Sequence, residues 1–81
     1  MLALITGASS GIGRDMARVL SKKGYDLILV ARRKDRLEEL QKELITKAEI
    51  ITLDLSKKEN CIQLFEQNKD QPIDFVILNA G

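Results

Sequence analysis

Between an apolar run, Met1-Leu2-Ala3-Leu4-Ile5-Thr6, and a stretch of helical periodicity lies Gly7-Ala8-Ser9-Ser10-Gly11-Ile12-Gly13. The chemistry open to such a segment is anion binding by the main chain. A strand that turns sharply into a helix presents backbone N–H groups without intrahelical partners, and the helix dipole adds positive potential at the same place. A pyrophosphate suits that end, but only if no side chain keeps it away. On this reading Gly7 allows the turn out of the strand, Gly11 allows close approach of the ligand, and Gly13 lets the helix pack tightly. Ser9 and Ser10 add hydroxyl donors at the rim. The plain alternative is a Gly/Ser-rich turn. A Walker-type phosphate loop is excluded by the letters, since Arg14 follows Gly13 and no glycine-lysine pair closes the loop.

A second chemical signal is the basic run at Val30-Ala31-Arg32-Arg33-Lys34. In a doubly wound sheet the tip of the second strand meets the adenosine ribose of a bound dinucleotide. An acidic residue there would bind the 2′-hydroxyl of NAD and repel a 2′-phosphate, and none is present. Ala31 leaves the space open, and the planar fork of Arg32 suits a phosphate. Arg32 is the first candidate for that role and Arg33 the second, with Ser9 or Ser10 assisting. The expected cofactor is therefore NADP(H) in preference to NAD(H). A solvated basic helix start, made of Arg32, Arg33, Lys34 and Arg36, is the alternative. Basic residues in a first helical turn are electrostatically unfavourable, which tilts the balance toward function.

The elements that must position these residues follow from periodicity. Leu2 to Thr6 reads as a buried strand. Ile12, Met16, Val19 and Leu20 recur at helical spacing, and Gly24 stands where a helix C-terminal glycine belongs. Asp26 to Ala31 is a second strand. Leu37, Leu40 and Leu44 mark a second helix, with Glu38 and Lys42 paired on its outer side. Ile50 to Leu53 is a third strand. Ser56-Lys57-Lys58-Glu59 has the form of a capping box opening a third helix with Ile62 and Phe65 inward. Phe75 to Leu78 is a fourth strand, entered from the Gln71-Pro72 turn. This β-α-β-α-β-α-β series predicts an α/β fold, a Rossmann-like three-layer parallel sheet with strand order 3-2-1-4.

Composition bounds the remaining function classes. The 81 residues carry 13 Lys+Arg and 12 Asp+Glu, a net charge of +1, which offers no general attraction to nucleic acid or to an anionic membrane. No apolar stretch approaches a membrane span, and no basic region precedes the first apolar run as it would in a signal peptide. With one cysteine, Cys61, and no histidine, the expectation is no internal disulfide and no metal site. A reducing, cytoplasmic setting fits.

Thr6-Gly7-Ala8-Ser9-Ser10-Gly11-Ile12-Gly13 resembles the T-G-x-x-x-G-x-G fingerprint of the short-chain dehydrogenase/reductase family. Leu78-Asn79-Ala80-Gly81 resembles the family's N-N-A-G motif, with Leu78 in place of its first asparagine. The resemblance spans the whole chain. It implies that the fingerprint, Ile12 included, lies along the cofactor, and that Asn79, Ala80 and Gly81 line it at the fourth strand tip. It also implies that Asp54 accepts from the adenine amino group with the Leu55 backbone beside it. An ordinary turn residue ahead of Ser56 is an equal reading of Asp54.

The family's chemistry is hydride transfer between nicotinamide and an alcohol or carbonyl carbon, with a Y-x-x-x-K pair as proton machinery. The only tyrosine is Tyr25, and Leu29 stands four residues on. Tyr25 reads as a packing residue, and no residue of the chain is assigned a catalytic role. Residues 1–81 therefore read as the N-terminal, cofactor-binding portion of a single Rossmann domain, ending before the catalytic half. The 81 residues alone are expected to be inactive. The resemblance further implies a small alcohol or carbonyl substrate and a homo-oligomer for the full-length parent. A non-catalytic dinucleotide-binding module is the alternative.

Overall fold

The computed structural model describes residues 1–9 and 11–79. The chain runs β1 (Leu2–Thr6), α1 (Gly11–Lys22), β2 (Asp26–Ala31), α2 (Lys34–Glu43), β3 (Ala48–Thr52), α3 (Lys58–Asn68) and β4 (Phe75–Ile77). All pairings are parallel, and the sheet order is β3-β2-β1-β4, as predicted. This is the Rossmann-like α/β architecture with its strand tips all at one end.

Period-two alternation divides the sheet between two cores. Ala3, Ile5, Leu27, Leu29 and Ala31 face α1 and α2, meeting Ala17, Leu20, Leu37 and Leu40. Leu4, Ile28 and Val30 face the other way and meet Leu64 of α3. The central strands β1 and β2 are thus covered on both faces, which is why they read as unbroken apolar runs. Each fully buried leucine or isoleucine contributes about 1.5–3 kcal/mol to holding these layers together.

Three local expectations are corrected. First, α1 buries Gly13, Ala17, Leu20 and Ser21, while Ile12 and Val19 are exposed. Small residues face the sheet here so that the helix can lie close to it. Second, β3 begins at Ala48, two residues before the apolar letters begin, pairing Ala48 with Leu27 and Glu49 with Ile28. It is an edge strand, and its solvent side tolerates a carboxylate. Leu78 lies just past the end of β4. Third, α3 starts at Lys58 with Lys57 at its N-cap and no side-chain cap, while the Ser56 hydroxyl, one residue earlier, donates to Asp54. This helix turns Leu64 and Asn68 inward, leaving Ile62 and Phe65 half exposed. A helix rotates about 100° per residue, so Phe65 lies about a quarter turn from Leu64 and Ile62 almost half a turn.

The C-terminus of α1 is closed as the sequence suggested. Gly24 has φ +94°, its N–H donates to the Ser21 carbonyl at 3.0 Å, and the Tyr25 N–H donates to the Leu20 carbonyl at 3.0 Å. This pair of bonds is a Schellman motif.

Candidate functional site

The turn from β1 into α1 is built on left-handed backbone. Gly7 has φ +64° and Gly11 has φ +56°, conformations that an L side chain adopts only under strain. A Cβ added at Gly11 would meet nothing within 4 Å, so the space beside this backbone is open. Gly13 is the opposite case. A Cβ there would collide with the Gly7 carbonyl and stand 2.8 Å from Asn79 Nδ2. One glycine clears room for something outside the fold, and the other lets the fold close on itself. The first turn of α1 holds no acidic residue, so nothing on the helix neutralises its positive end.

The Thr6 hydroxyl and Asn79 hold that turn to the tip of β4. The Asn79 N–H donates to Thr6 Oγ1 at 3.0 Å, and the Thr6 hydroxyl donates to the Asn79 carbonyl at 3.2 Å. Asn79 Nδ2 donates to the Gly7 carbonyl at 3.2 Å. Thr6 is buried, and its hydroxyl uses both its donor and its acceptor capacity here.

Beside the turn, at the C-terminal ends of the strands, opens a cleft of about 520 Å³. The β1–α1 turn supplies Gly7 and Ser9 to its wall, and Asn79 closes it at β4. The end of β2 and the start of α2 supply Ala31, Arg32, Arg33 and Arg36. The segment after β3 supplies Leu53, Asp54, Leu55 and Ser56. The site residues expected after β2 and after β3 therefore meet in one cavity with part of the glycine turn. Gly11, Ile12 and Gly13 sit at the start of α1 and not on the cleft wall, and Ile12 projects into solvent. Ser10, Ala80 and Gly81 lie outside the described residues. Tyr25 packs partly buried against the core before the start of β2, at the end of the sheet opposite the cleft.

Two carboxylates in this region are already engaged. Asp54 Oδ1 accepts from the Ser56 hydroxyl at 2.7 Å and from the Ser56 N–H at 3.0 Å. Those two bonds, hydroxyl first, hold the Asp54 carboxyl below its ordinary value, and the Arg32 charge acts in the same direction. Asp35 lies 3.5 Å from Arg33 Nε through its Oδ1. Desolvation opposes its ionisation, but the bond to Arg33 and the amides at the start of α2 outweigh it, and its carboxyl is lowered. Sequence reasoning grouped Arg36 with solvated charge and Ser56 with helix capping. The signal for Arg36 was its spacing, three residues beyond Arg33 and four beyond Arg32, which places all of them at one corner of α2.

Among the described residues no group of three or more His, Cys, Asp or Glu is placed to hold a metal ion, and no helix is long and apolar enough to cross a membrane.

The family model described as short chain dehydrogenase matches residues 1–81. The chain belongs to the short-chain dehydrogenase family. An uncharacterised oxidoreductase of Mycobacterium tuberculosis is 46% identical to this short-chain dehydrogenase sequence over 85 residues, covering 96% of this chain and 34% of that protein. A solved alcohol dehydrogenase from Thermococcus sibiricus, in complex with 5-hydroxy-NADP, is 40% identical with a TM-score of 0.79, over 93% of this chain and 34% of that one. A short-chain dehydrogenase from Sphingobium yanoikuyae, in complex with NADPH, is 38% identical with a TM-score of 0.86, over 99% of this chain and 33% of that one. The chain thus spans about a third of the length of these relatives.

Proposed function

We propose that the chain is the N-terminal, cofactor-binding portion of an NADP(H)-dependent oxidoreductase that moves hydride between nicotinamide and an alcohol or carbonyl carbon. The observation that carries this reading is the pairing of an open, positive-φ glycine turn with an arginine-walled cleft at the same end of the sheet. The residues present fit a dinucleotide. Among the described residues nothing lies within 4 Å of a Cβ placed at Gly11, and α1 directs an unneutralised N-terminus toward that space. A nicotinamide dinucleotide, when bound, supplies the hydride acceptor or donor.

The roles of the chain's own residues follow. Gly7, Gly11 and Gly13 shape the turn so that amides of the α1 start reach a pyrophosphate, with Ser9 and Ser10 at its rim and Ile12 alongside. Arg32, and beside it Arg33, faces a 2′-phosphate. Asp54, oriented by Ser56, accepts from the adenine amino group next to the Leu55 backbone. Asn79, Ala80 and Gly81 border the cofactor at the β4 tip. Preference for NADP(H) is supported by three guanidinium groups on a cleft wall whose one carboxylate, Asp54, is engaged by Ser56. The 5-hydroxy-NADP and NADPH complexes of the Thermococcus and Sphingobium relatives point the same way. We place the protein in the cytoplasm and, in its full-length form, in a homo-oligomer acting on a small alcohol or carbonyl compound.

One observation favours a non-catalytic binding module for the 81 residues taken alone. The only tyrosine, Tyr25, is packed at the end of the sheet away from the cleft. Purified 81-residue chain should therefore show no NADPH oxidation with any carbonyl substrate.

The test of cofactor choice is Arg32→Ala in the full-length protein. A charge-assisted hydrogen bond is worth about 1.5–3 kcal/mol, so its loss should weaken NADPH binding by roughly 10- to 100-fold. NADH binding should change far less. An unchanged NADPH:NADH ratio in a fluorescence titration would show that Arg32 does not read the 2′-phosphate.

A further inference from the structure

The cleft arginines differ in their partners. Arg33, the N-cap residue of α2, is tied to Asp35 two residues along, at 3.5 Å. Arg32 faces Asp54 closely enough for its charge to be felt there, yet Asp54 Oδ1 is spent on Ser56. The Arg36 guanidinium has no ion-pair or hydrogen-bond partner among the described residues. Its own helix carries a carboxylate one turn on, Glu39, the usual i, i+3 partner. Glu39 points instead to Arg14 of α1, 3.9 Å away. Arginines away from the cleft are treated differently: Arg18 meets both Glu43 at 2.9 Å and Asp15 at 3.3 Å.

An unpaired cation in the first turn of a helix opposes the helix dipole, and like charges beside it add repulsion. The chain gathers Arg32, Arg33 and Arg36 on one wall and leaves Arg36 unanswered. A dianion in the cleft would remove that strain, and a neutral hydroxyl would not. A phosphate has three acceptor oxygens and takes planar forks from more than one direction.

We propose that Arg36 is a specificity-determining residue of this cleft, gripping the phosphate on the adenosine ribose together with Arg32, while Asp35 holds Arg33 back. The inference rests on the NADP(H) reading above and refines which side chains enact it. Arg36 is the stronger partner because no carboxylate among the described residues competes for it. Arg33 must first release Asp35 before it can offer its full fork.

The experiment titrates the full-length protein with NADPH and with NADH, for the wild type and for Arg36→Gln, Arg33→Gln, Arg32→Ala and Lys34→Gln. All of these side chains are exposed, and melting temperature checks that each variant folds. Arg36→Gln should lower the NADPH:NADH preference about three- to tenfold, somewhat less than a fully desolvated contact gives, because the group is exposed. Arg33→Gln should lower it less than Arg36→Gln does. Lys34→Gln removes the same charge from the same turn outside the cleft and should leave the preference unchanged. Equal losses for Lys34→Gln and Arg36→Gln would reduce the effect to general charge and overturn the assignment. A shift for Arg32→Ala with none for Arg36→Gln would overturn it too, while leaving the NADP(H) reading intact. A wild type with no preference for NADPH would overturn both.

Discussion

The two ends of the sheet are made from similar polar parts, and they put them to opposite uses. At the N-terminal end a buried hydroxyl closes the structure. Ser21 Oγ accepts from the Ile45 N–H at 3.0 Å and the Thr46 N–H at 3.2 Å. The Thr46 hydroxyl donates to the Tyr25 carbonyl, so the Ser21 proton goes to Thr46 Oγ1 at 2.9 Å. Every valence of that node is filled from within the chain. In the recess of about 470 Å³ at this end, two carboxylates are likewise engaged by backbone amides. Its Asp74 accepts from the Leu2 N–H, and its Asp26 from the Lys47 N–H. At the C-terminal end the Thr6–Asn79 node is equally well satisfied, but it surrounds an opening. Positive-φ backbone borders open space there, and the Arg36 guanidinium stands without a carboxylate partner among the described residues. One end spends its polar groups on stability, while the other holds some in reserve, and reserve is what a binding site requires.

The sharpest break in that comparison is Gly13→Ala. The new methyl group would press on the Gly7 carbonyl and on Asn79 Nδ2 at once, and backbone cannot yield as a flexible side chain can. Overpacking of this kind costs about 1–3 kcal/mol, and losing the Asn79–Gly7 bond adds about 1 kcal/mol. The variant should melt well below the wild type and bind no dinucleotide. Calorimetry that finds wild-type stability would mean that the contact between α1 and the β4 tip is looser than described.

Ser21→Ala works on the other end. It leaves two part-buried N–H groups and one hydroxyl without their partner, a loss of about 1–2 kcal/mol. Stability should fall by that amount in urea denaturation, while NADPH affinity measured below the transition stays at the wild-type value. A parallel loss of affinity would show that the two ends are coupled.

Gly11 and Gly24 form a matched pair at opposite ends of α1. Both have positive φ, and both have nothing within 4 Å of an added Cβ. Alanine at either should cost about 1–2 kcal/mol of backbone strain. Only Gly11→Ala should also weaken cofactor binding, by at least tenfold, because its methyl group enters the space we propose for the pyrophosphate. If the two variants bind NADPH equally well, the space beside Gly11 has no role in binding.

Much of this was legible in the letters, and for definite reasons. The parallel sheet followed from unbroken apolar strands alternating with helices, and its order from the right-handed crossovers of a doubly wound half. The glycine turn could be read because backbone at positive φ restricts residue choice so strongly. The end of α1 was legible for the same reason at Gly24. What failed was whatever depended on which neighbour a side chain would choose. Ser56 precedes a helix in a good capping pattern, yet Lys57 takes the N-cap position and the Ser56 hydroxyl donates to the Asp54 carboxylate. Ile62 and Phe65 had the right hydrophobicity, but the rotation of α3 is set by Leu64 and Asn68. Arg36 could not be told from solvated charge until Glu39 was seen to point at α1.

The smallest expected effect concerns Asp54. Its carboxyl is held below the ordinary value of 3.8 in the folded chain. Its contribution to stability is therefore fully present above that value and is lost as the pH falls through the lower native pKa. Ser56→Ala removes the larger cause and should raise the Asp54 pKa toward 3.8, seen as a shifted carboxyl titration by NMR. Between about pH 5 and 8 the carboxylate remains ionised in both proteins, so NADPH affinity should show no step from this group. A native Asp54 that titrates at or above its ordinary value would contradict the arrangement.

The contrast between the two ends is tested most directly by a crystal structure of the full-length protein with NADPH. The account predicts the pyrophosphate against the amides that open α1, beside Gly11, with the 2′-phosphate between Arg32 and Arg36. A dinucleotide seated instead in the recess beside Asp26 and Asp74, or a phosphate that touches none of the cleft arginines, would contradict it.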